Sequence, residues 1–182
     1  MRELSLHILD IVQNSITANA NLIVIEINED LINNKLEFAI ADNGKGMSPE
    51  FLENVCDPFA TTRTTRRVGL GLSLLKAAAE QCGGGLNITS ELGMGTEVTV
   101  WFIHDHIDRV PLGKIDETVL MLITCNPKID FIYTHTVNDN EFKMDSREIK
   151  KIIEGVEITN HDVVLWMKDY LKQGINSLYG GV

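Results

Sequence analysis

The stretch ADNGKGM, residues 41–47, joins the end of a strand to a turn. Before it, KLEFAIAD (Lys35–Asp42) alternates apolar and polar residues with the period of a half-buried strand. Gly44 and Gly46 then let the backbone turn tightly and let a flat ligand approach. An aspartate at a strand end, Asp42, can accept a hydrogen bond from an amino group such as the exocyclic amine of adenine. Taken alone, the same residues also read as an ordinary turn. Ser48 followed by Pro49 marks the start of a helix.

Upstream, LIVIEIN (Leu22–Asn28) is a second alternating run, and the polar link EDLINN makes the two runs a hairpin. The chain opens with a helix whose apolar face is Leu4, Ile8, Ile11, Ser15 and Ala18. A second stripe, His7, Asp10, Asn14 and Thr17, recurs at helical spacing along another side. It reads either as a solvated face or as the lining of a magnesium–phosphate site. In the second case the Asn14 amide oxygen is a hard ligand for the metal, and Asp10, one turn away, can take a proton.

Downstream, residues 57–69 are polar and basic and read as a mobile loop. VGLGLSL (68–74) opens a helix over Leu70–Gln81, ended by Gly83-Gly84-Gly85. Glycines at a helix N-terminus leave N–H donors free for an anion, and Arg63, Arg66 and Arg67 lie just before it. LNITS and TEVTVWF form a second hairpin around LGMG; Thr96, at its turn, could place a hydroxyl near a bound base.

From His104 to Gly113 the pattern becomes a charged loop. His104, Asp105, His106 and Asp108 have ligand chemistry, but a strand-end loop explains them as well. Thr118–Thr124 and Ile129–Val137 read as strands, and Ser146–Glu154 and His161–Gly174 as helices. The expectation is a core over residues 1–103 and a ββαα extension over 104–182 packed on it, its strands added to a free sheet edge. Trp166, Met167, Tyr170 and Leu171 read as core or interface residues.

The chain of 182 residues carries a formal net charge of −10, which disfavours nucleic acid as a main partner. No apolar run reaches the length of a membrane span. Its three cysteines, far apart in sequence, fit a reducing, cytoplasmic setting.

Each motif is weak alone, but their order is specific. IVQNSITANA resembles the N box of the GHKL ATPases, ADNGKGM the G1 box, DPFATTR the F box, VGLGLSL the G2 box and GMGTEVTVWF the G3 box. The F, G2 and G3 boxes resemble those of histidine kinases, while NSxxAxA is nearer gyrase B and MutL. The resemblance implies an α+β Bergerat-fold sandwich, a mixed, mostly antiparallel sheet with helices on one face. It implies ATP and Mg2+ as cofactors, with Asn14 on the metal and Asp10 as general base. Asp42 would bind the adenine amine, helped by Thr96, with Gly44, Gly46 and Met47 shaping the pocket. Residues 57–68 would form a lid carrying Thr62 and Arg63, and Gly69, Leu70, Gly71 and Leu72 would meet the phosphates.

Two residues depart from the pattern: Asp10 stands where glutamate is usual, and Thr17 where a charge is common. The chain starts at the N-box helix, so a stand-alone domain is expected rather than a complete sensor kinase. HIDRVPLG (106–113) resembles stand-alone GHKL proteins, some encoded beside iron hydrogenases. The implied function is an Mg-ATP-dependent regulatory kinase or switch, of the anti-sigma-factor kind, acting on an unidentified protein partner. The alternatives are an ATPase module that assists a partner enzyme, and a nucleotide sensor without turnover. A homodimer is among the expected assemblies.

Overall fold

The computed structural model describes residues 3–56 and 70–180, with only the backbone at Leu70. Its first helix, α1 (Leu4–Thr17), buries Leu4, Ile8, Ile11, Val12 and Ser15, the stripe that helical spacing demands. The helix stops at Ala18, and Asn19 takes a left-handed φ of 61°. Two of its free first-turn donors are satisfied from far along the chain: Leu4 N–H and Ser5 N–H donate to the carbonyls of Pro111 and Leu112, each at 2.9 Å.

One six-stranded sheet runs through the molecule in the order β3-β4-β2-β1-β5-β6. The strands are β1 (Leu22–Asp30), β2 (Lys35–Asp42), β3 (Gly85–Glu91), β4 (Gly95–Ile103), β5 (Asp130–Val137) and β6 (Asn140–Asp145). Every pairing is antiparallel except β1 with β5, which runs parallel with Ile25 opposite Tyr133. Alternation sends Ile23, Ile25, Ile27, Leu36, Phe38, Ile40, Val98, Val100 and Phe131 to one buried face. The other face carries Glu26, Asn28, Glu37, Thr134 and Glu141, polar as an uncovered sheet face should be. The helices α2 (Pro49–Asn54), α3 (Leu70–Gln81), α4 (Ile115–Cys125), α5 (Ser146–Ile152) and α6 (His161–Ser177) complete the fold. α1, α3, α4 and α6 pack on one another and on the buried side of the sheet.

The sheet and its single helical layer agree with the expected sandwich, but the extension is αββαα rather than ββαα. Thr118–Thr124, read as a strand, lies inside helix α4. Its β-branched residues favour a strand locally, but Ile115, Thr118, Val119, Leu122 and Ile123 form one buried helical stripe, and tertiary packing decides. Ile129–Val137 does form a strand and takes the free edge of β1, and β6 follows as its hairpin partner. Cys56, Cys82 and Cys125 are free thiols. No helix among the described residues is long and apolar enough to cross a membrane.

Far from Asp42, a buried carboxylate ties the extension to the core. Glu29, on β1, accepts from His135 Nε2 of β5 at 2.9 Å, from His104 Nε2 at 2.7 Å, and from the Tyr179 hydroxyl. Tyr133 continues the chain to His135 Nδ1 at 2.8 Å. His104, considered above as a metal ligand, is therefore held by Glu29. No group of three or more His, Cys, Asp or Glu side chains with metal-binding geometry occurs among the described residues. Burial acts to raise the Glu29 carboxyl, but the bonds from His135, Tyr179 and His104 outweigh it and hold it at about 2, against an ordinary 4.5.

A carboxyl held low in the fold stabilises it above the unfolded-state value. The Glu29 contribution should be complete above about pH 4.5 and fade as pH falls towards 2, by about 3 kcal/mol at most. Urea midpoints measured across that range should fall steeply for the native chain. They should be lower at neutral pH and flatter in acid for Glu29→Gln.

Candidate nucleotide site

Helix α1 crosses the end of β2 where Asp42 closes the strand. Ser15 Oγ donates to Asp42 Oδ2 at 2.6 Å, and Gly44 N–H donates to Oδ1 at 2.8 Å. The carboxylate is thus held from two sides, and each oxygen keeps capacity to accept another donor. Ser15 is 3% exposed, so its hydroxyl is a buried polar group with its partner in place. The spacing argument put Ser15 on the apolar face, and its depth is as expected; its bond to Asp42 was not foreseen. The signal was its place beside Asn14 in the N box.

The loop after Asp42 is pinned by three neighbours. Lys45 N–H donates to the Ala18 carbonyl at 2.9 Å, Gly93 N–H to the Lys45 carbonyl at 2.7 Å, and Met47 N–H to Ser90 Oγ at 2.9 Å. Gly46 sits at φ +66°, and a Cβ there would come within 2.0 Å of the Glu91 carbonyl oxygen. Only glycine fits so close to the β3–β4 turn. Thr96 lies directly opposite Asp42 in the β2–β4 register, but its hydroxyl pairs with Ser90 Oγ at 2.8 Å. The side chain that supports Asp42 is Ser15, and Thr96 acts on the loop through Ser90.

The polar stripe of α1 divides. His7 is 6% exposed and faces inward, where burial pushes its imidazole below the ordinary value. Thr17 turns its hydroxyl back to the Gln13 carbonyl at 2.9 Å. Asp10 and Asn14 remain together, one turn apart, the first exposed and the second half-buried. Among the described residues neither side chain has a hydrogen-bond partner. Asp10 reaches the first turn of α3: a Cβ on Gly71 would lie 2.0 Å from Asp10 Oδ2. Leu72, next in that turn, is buried. One helix therefore presents Ser15 to Asp42 on one side and Asp10 to the first turn of α3 on another, with Asn14 one helical turn from Asp10. Thr62, Arg63 and Gly69, with the rest of the expected lid, lie outside the described residues, as does the Leu70 side chain.

Comparison with known proteins places the chain in a family. Residues 2–106 match the family model described as Histidine kinase-, DNA gyrase B-, and HSP90-like ATPase. The chain belongs to this family of ATPases. It is 45% identical over 69 residues to the histidine protein kinase DivJ of Caulobacter vibrioides, covering 36% of this chain and 12% of that protein. It is 38% identical over 69 residues to sporulation kinase D of Bacillus subtilis, covering 38% of this chain and 13% of that protein. The chain thus spans only a small part of the length of these relatives. Its fold resembles the crystal structure of the N-terminal domain of a DNA repair protein, with TM-score 0.58 and 19% identity over 100% of this chain and 58% of that one. It also resembles the Aquifex aeolicus MutL ATPase domain complexed with ADP, with TM-score 0.51 and 18% identity over 84% of this chain and 69% of that one.

Two substitutions test the construction of the site. Gly46→Ala forces a side chain into a left-handed backbone against a carbonyl and should cost roughly 2–4 kcal/mol of stability. Ser15→Ala leaves the fold intact and should cost about 1–2 kcal/mol through the lost bond to a charged group. Urea denaturation followed by circular dichroism checks both.

Proposed function

We propose that this protein binds Mg-ATP and works as a regulatory kinase or switch on a protein partner. The observation that carries the reading is the double use of α1, which clamps Asp42 through Ser15 and sets Asp10 against Gly71 in the first turn of α3, with Asn14 one helical turn from Asp10. The donor set suits the nucleotide. Asp42 can take the adenine amine, a donor that guanine replaces with an acceptor. Gly44, Gly46 and Met47 would border the base, with Thr96 holding their loop. Gly69, Leu70, Gly71 and Leu72 would meet phosphate oxygens through backbone N–H groups, with Thr62 and Arg63 closing from the lid.

Asn14, whose amide has no partner among the described residues, would supply a protein oxygen to magnesium; the metal's other positions suit phosphate and water. Magnesium would neutralise phosphate charge. Asp10 would accept the proton of the attacking hydroxyl. It is one methylene shorter than the glutamate usual in the family, which argues for slow water activation and favours transfer or switching over rapid hydrolysis. On this reading residues 1–103 hold the nucleotide, and 104–182 communicate with the partner in a cytoplasmic setting.

A second reading, an ATP-driven conformational module assisting a partner enzyme, draws support from the Pro111 and Leu112 carbonyls that cap α1. That junction links the nucleotide helix directly to the extension. ATP turnover measured with and without candidate partner proteins separates the two: phosphate appears on the partner in the first case and only in solution in the second.

Titration calorimetry should give micromolar ATP affinity, on the order of −8 kcal/mol, and much weaker GTP binding. Asp42→Asn should lose most of that affinity while keeping the fold; equal ATP and GTP affinities would contradict the role of Asp42. Asn14→Ala should leave the circular dichroism spectrum unchanged and make nucleotide binding nearly insensitive to magnesium.

A further inference from the structure

β6 is the last strand of the sheet, and its outer side has no strand partner among the described residues. The two-residue turn at Asn138–Asp139 joins Val137 to Asn140 and sets the alternation of the β5–β6 ladder. The backbone groups of Glu141, Lys143 and Asp145 therefore point away from β5. No backbone hydrogen bond among the described residues reaches them outside the β5–β6 pairing. The strand is short, but it has no proline and no bulge, the usual guards of an open edge. Its deterrents are its shortness and the charges of Glu141, Lys143 and Asp145.

We infer that β6 pairs antiparallel with β6 of a second copy of this chain, about a two-fold axis at Phe142. In this register Phe142 faces its own copy, and Glu141 lies directly opposite Lys143 of the second copy, with the reciprocal pair generated by symmetry. The backbone groups that would exchange hydrogen bonds are those of Glu141 and Lys143, the ones the β5 ladder leaves free. The charges that guard this edge become opposite pairs across the join. Shifting the axis to Lys143 would set lysine against lysine and Glu141 against Asp145, so charge selects the first register. Glu141 and Lys143 are exposed, and neither makes an ion pair among the described residues. The chosen register also sets Asp139 opposite the second copy's Asp145, which Arg147 already neutralises through a 2.7 Å ion pair.

An aromatic strip on the helical side supports the same join. Phe142 packs over Gly174 of α6, where any Cβ would strike its ring. Tyr170 lies 5.2 Å from Phe142, and Trp166 stacks on Tyr170 at 5.1 Å. Met167 and Leu171 are wholly buried, but Trp166 stays 48% exposed and Tyr170 40%. A helix that leaves a stacked tryptophan–tyrosine pair in water beside an unpaired strand suits a partner surface of the same make.

Sedimentation equilibrium on the full chain should give twice the chain mass. Glu141→Lys and Lys143→Glu, both on exposed positions, should each fold normally by circular dichroism and weaken the dimer by at least about tenfold. Mixing the two variants should restore a dimer, because both 141–143 pairs are then opposite in charge; the double variant should restore it as well. A monomeric native chain would overturn the proposal. So would a dimer that both single variants leave intact, or single variants whose loss the mixture does not repair.

Discussion

The bond from Ser15 to Asp42 joins the one helix and the one strand on which the nucleotide region is built. It is buried at the helix and half-buried at the strand end, where a lost partner costs more than a surface hydrogen bond. Because α1 is rigid, fixing Ser15 also fixes the direction of Asn14 and Asp10 relative to Asp42. The distance between the Asp42 carboxylate and the oxygens of Asp10 and Asn14 becomes a property of helix geometry rather than of loop conformation. The loop at 43–47 is held in turn by Ala18, Ser90 and Gly93, which ties it to the core.

The extension completes the same body. Its strand β5 lies parallel on β1 and covers an edge that would otherwise present free backbone groups beside a strongly apolar strand. Glu29, held by two histidines and a tyrosine, is the polar counterpart of that packing. A buried carboxylate with its donors assembled penalises any arrangement that breaks the set, because a lost partner leaves a buried charge unpaired. At the other end, Pro111 and Leu112 cap α1. The helix that would line the nucleotide is thus capped by residues that lead into the extension.

Much of this was legible in the chain. Strong alternation in β1 and β2, the glycine loop after Asp42, and the Leu- and Ala-rich helix at 70–81 are local signals with one physical reading each. The order of the five motifs carried the family resemblance. ETVLMLIT was misread because a short run of β-branched and aliphatic residues satisfies both periods, and burial against α1, α6 and β5 settled it as a helix. β6 went unread because NEFKMD alternates only weakly and gains its strand character from β5.

By itself the sequence determined the periodicities, the turn positions and the residue types able to meet a nucleotide. Each of these depends on neighbours within a few residues. Only the tertiary structure decided that Ser15 rather than Thr96 holds Asp42, that His7 turns inward while Asp10 meets Gly71, and that His104 pairs with Glu29 rather than with a metal. Those are contacts between segments distant in the chain, chosen by which faces can be buried together with every polar group satisfied. No local pattern encodes that choice.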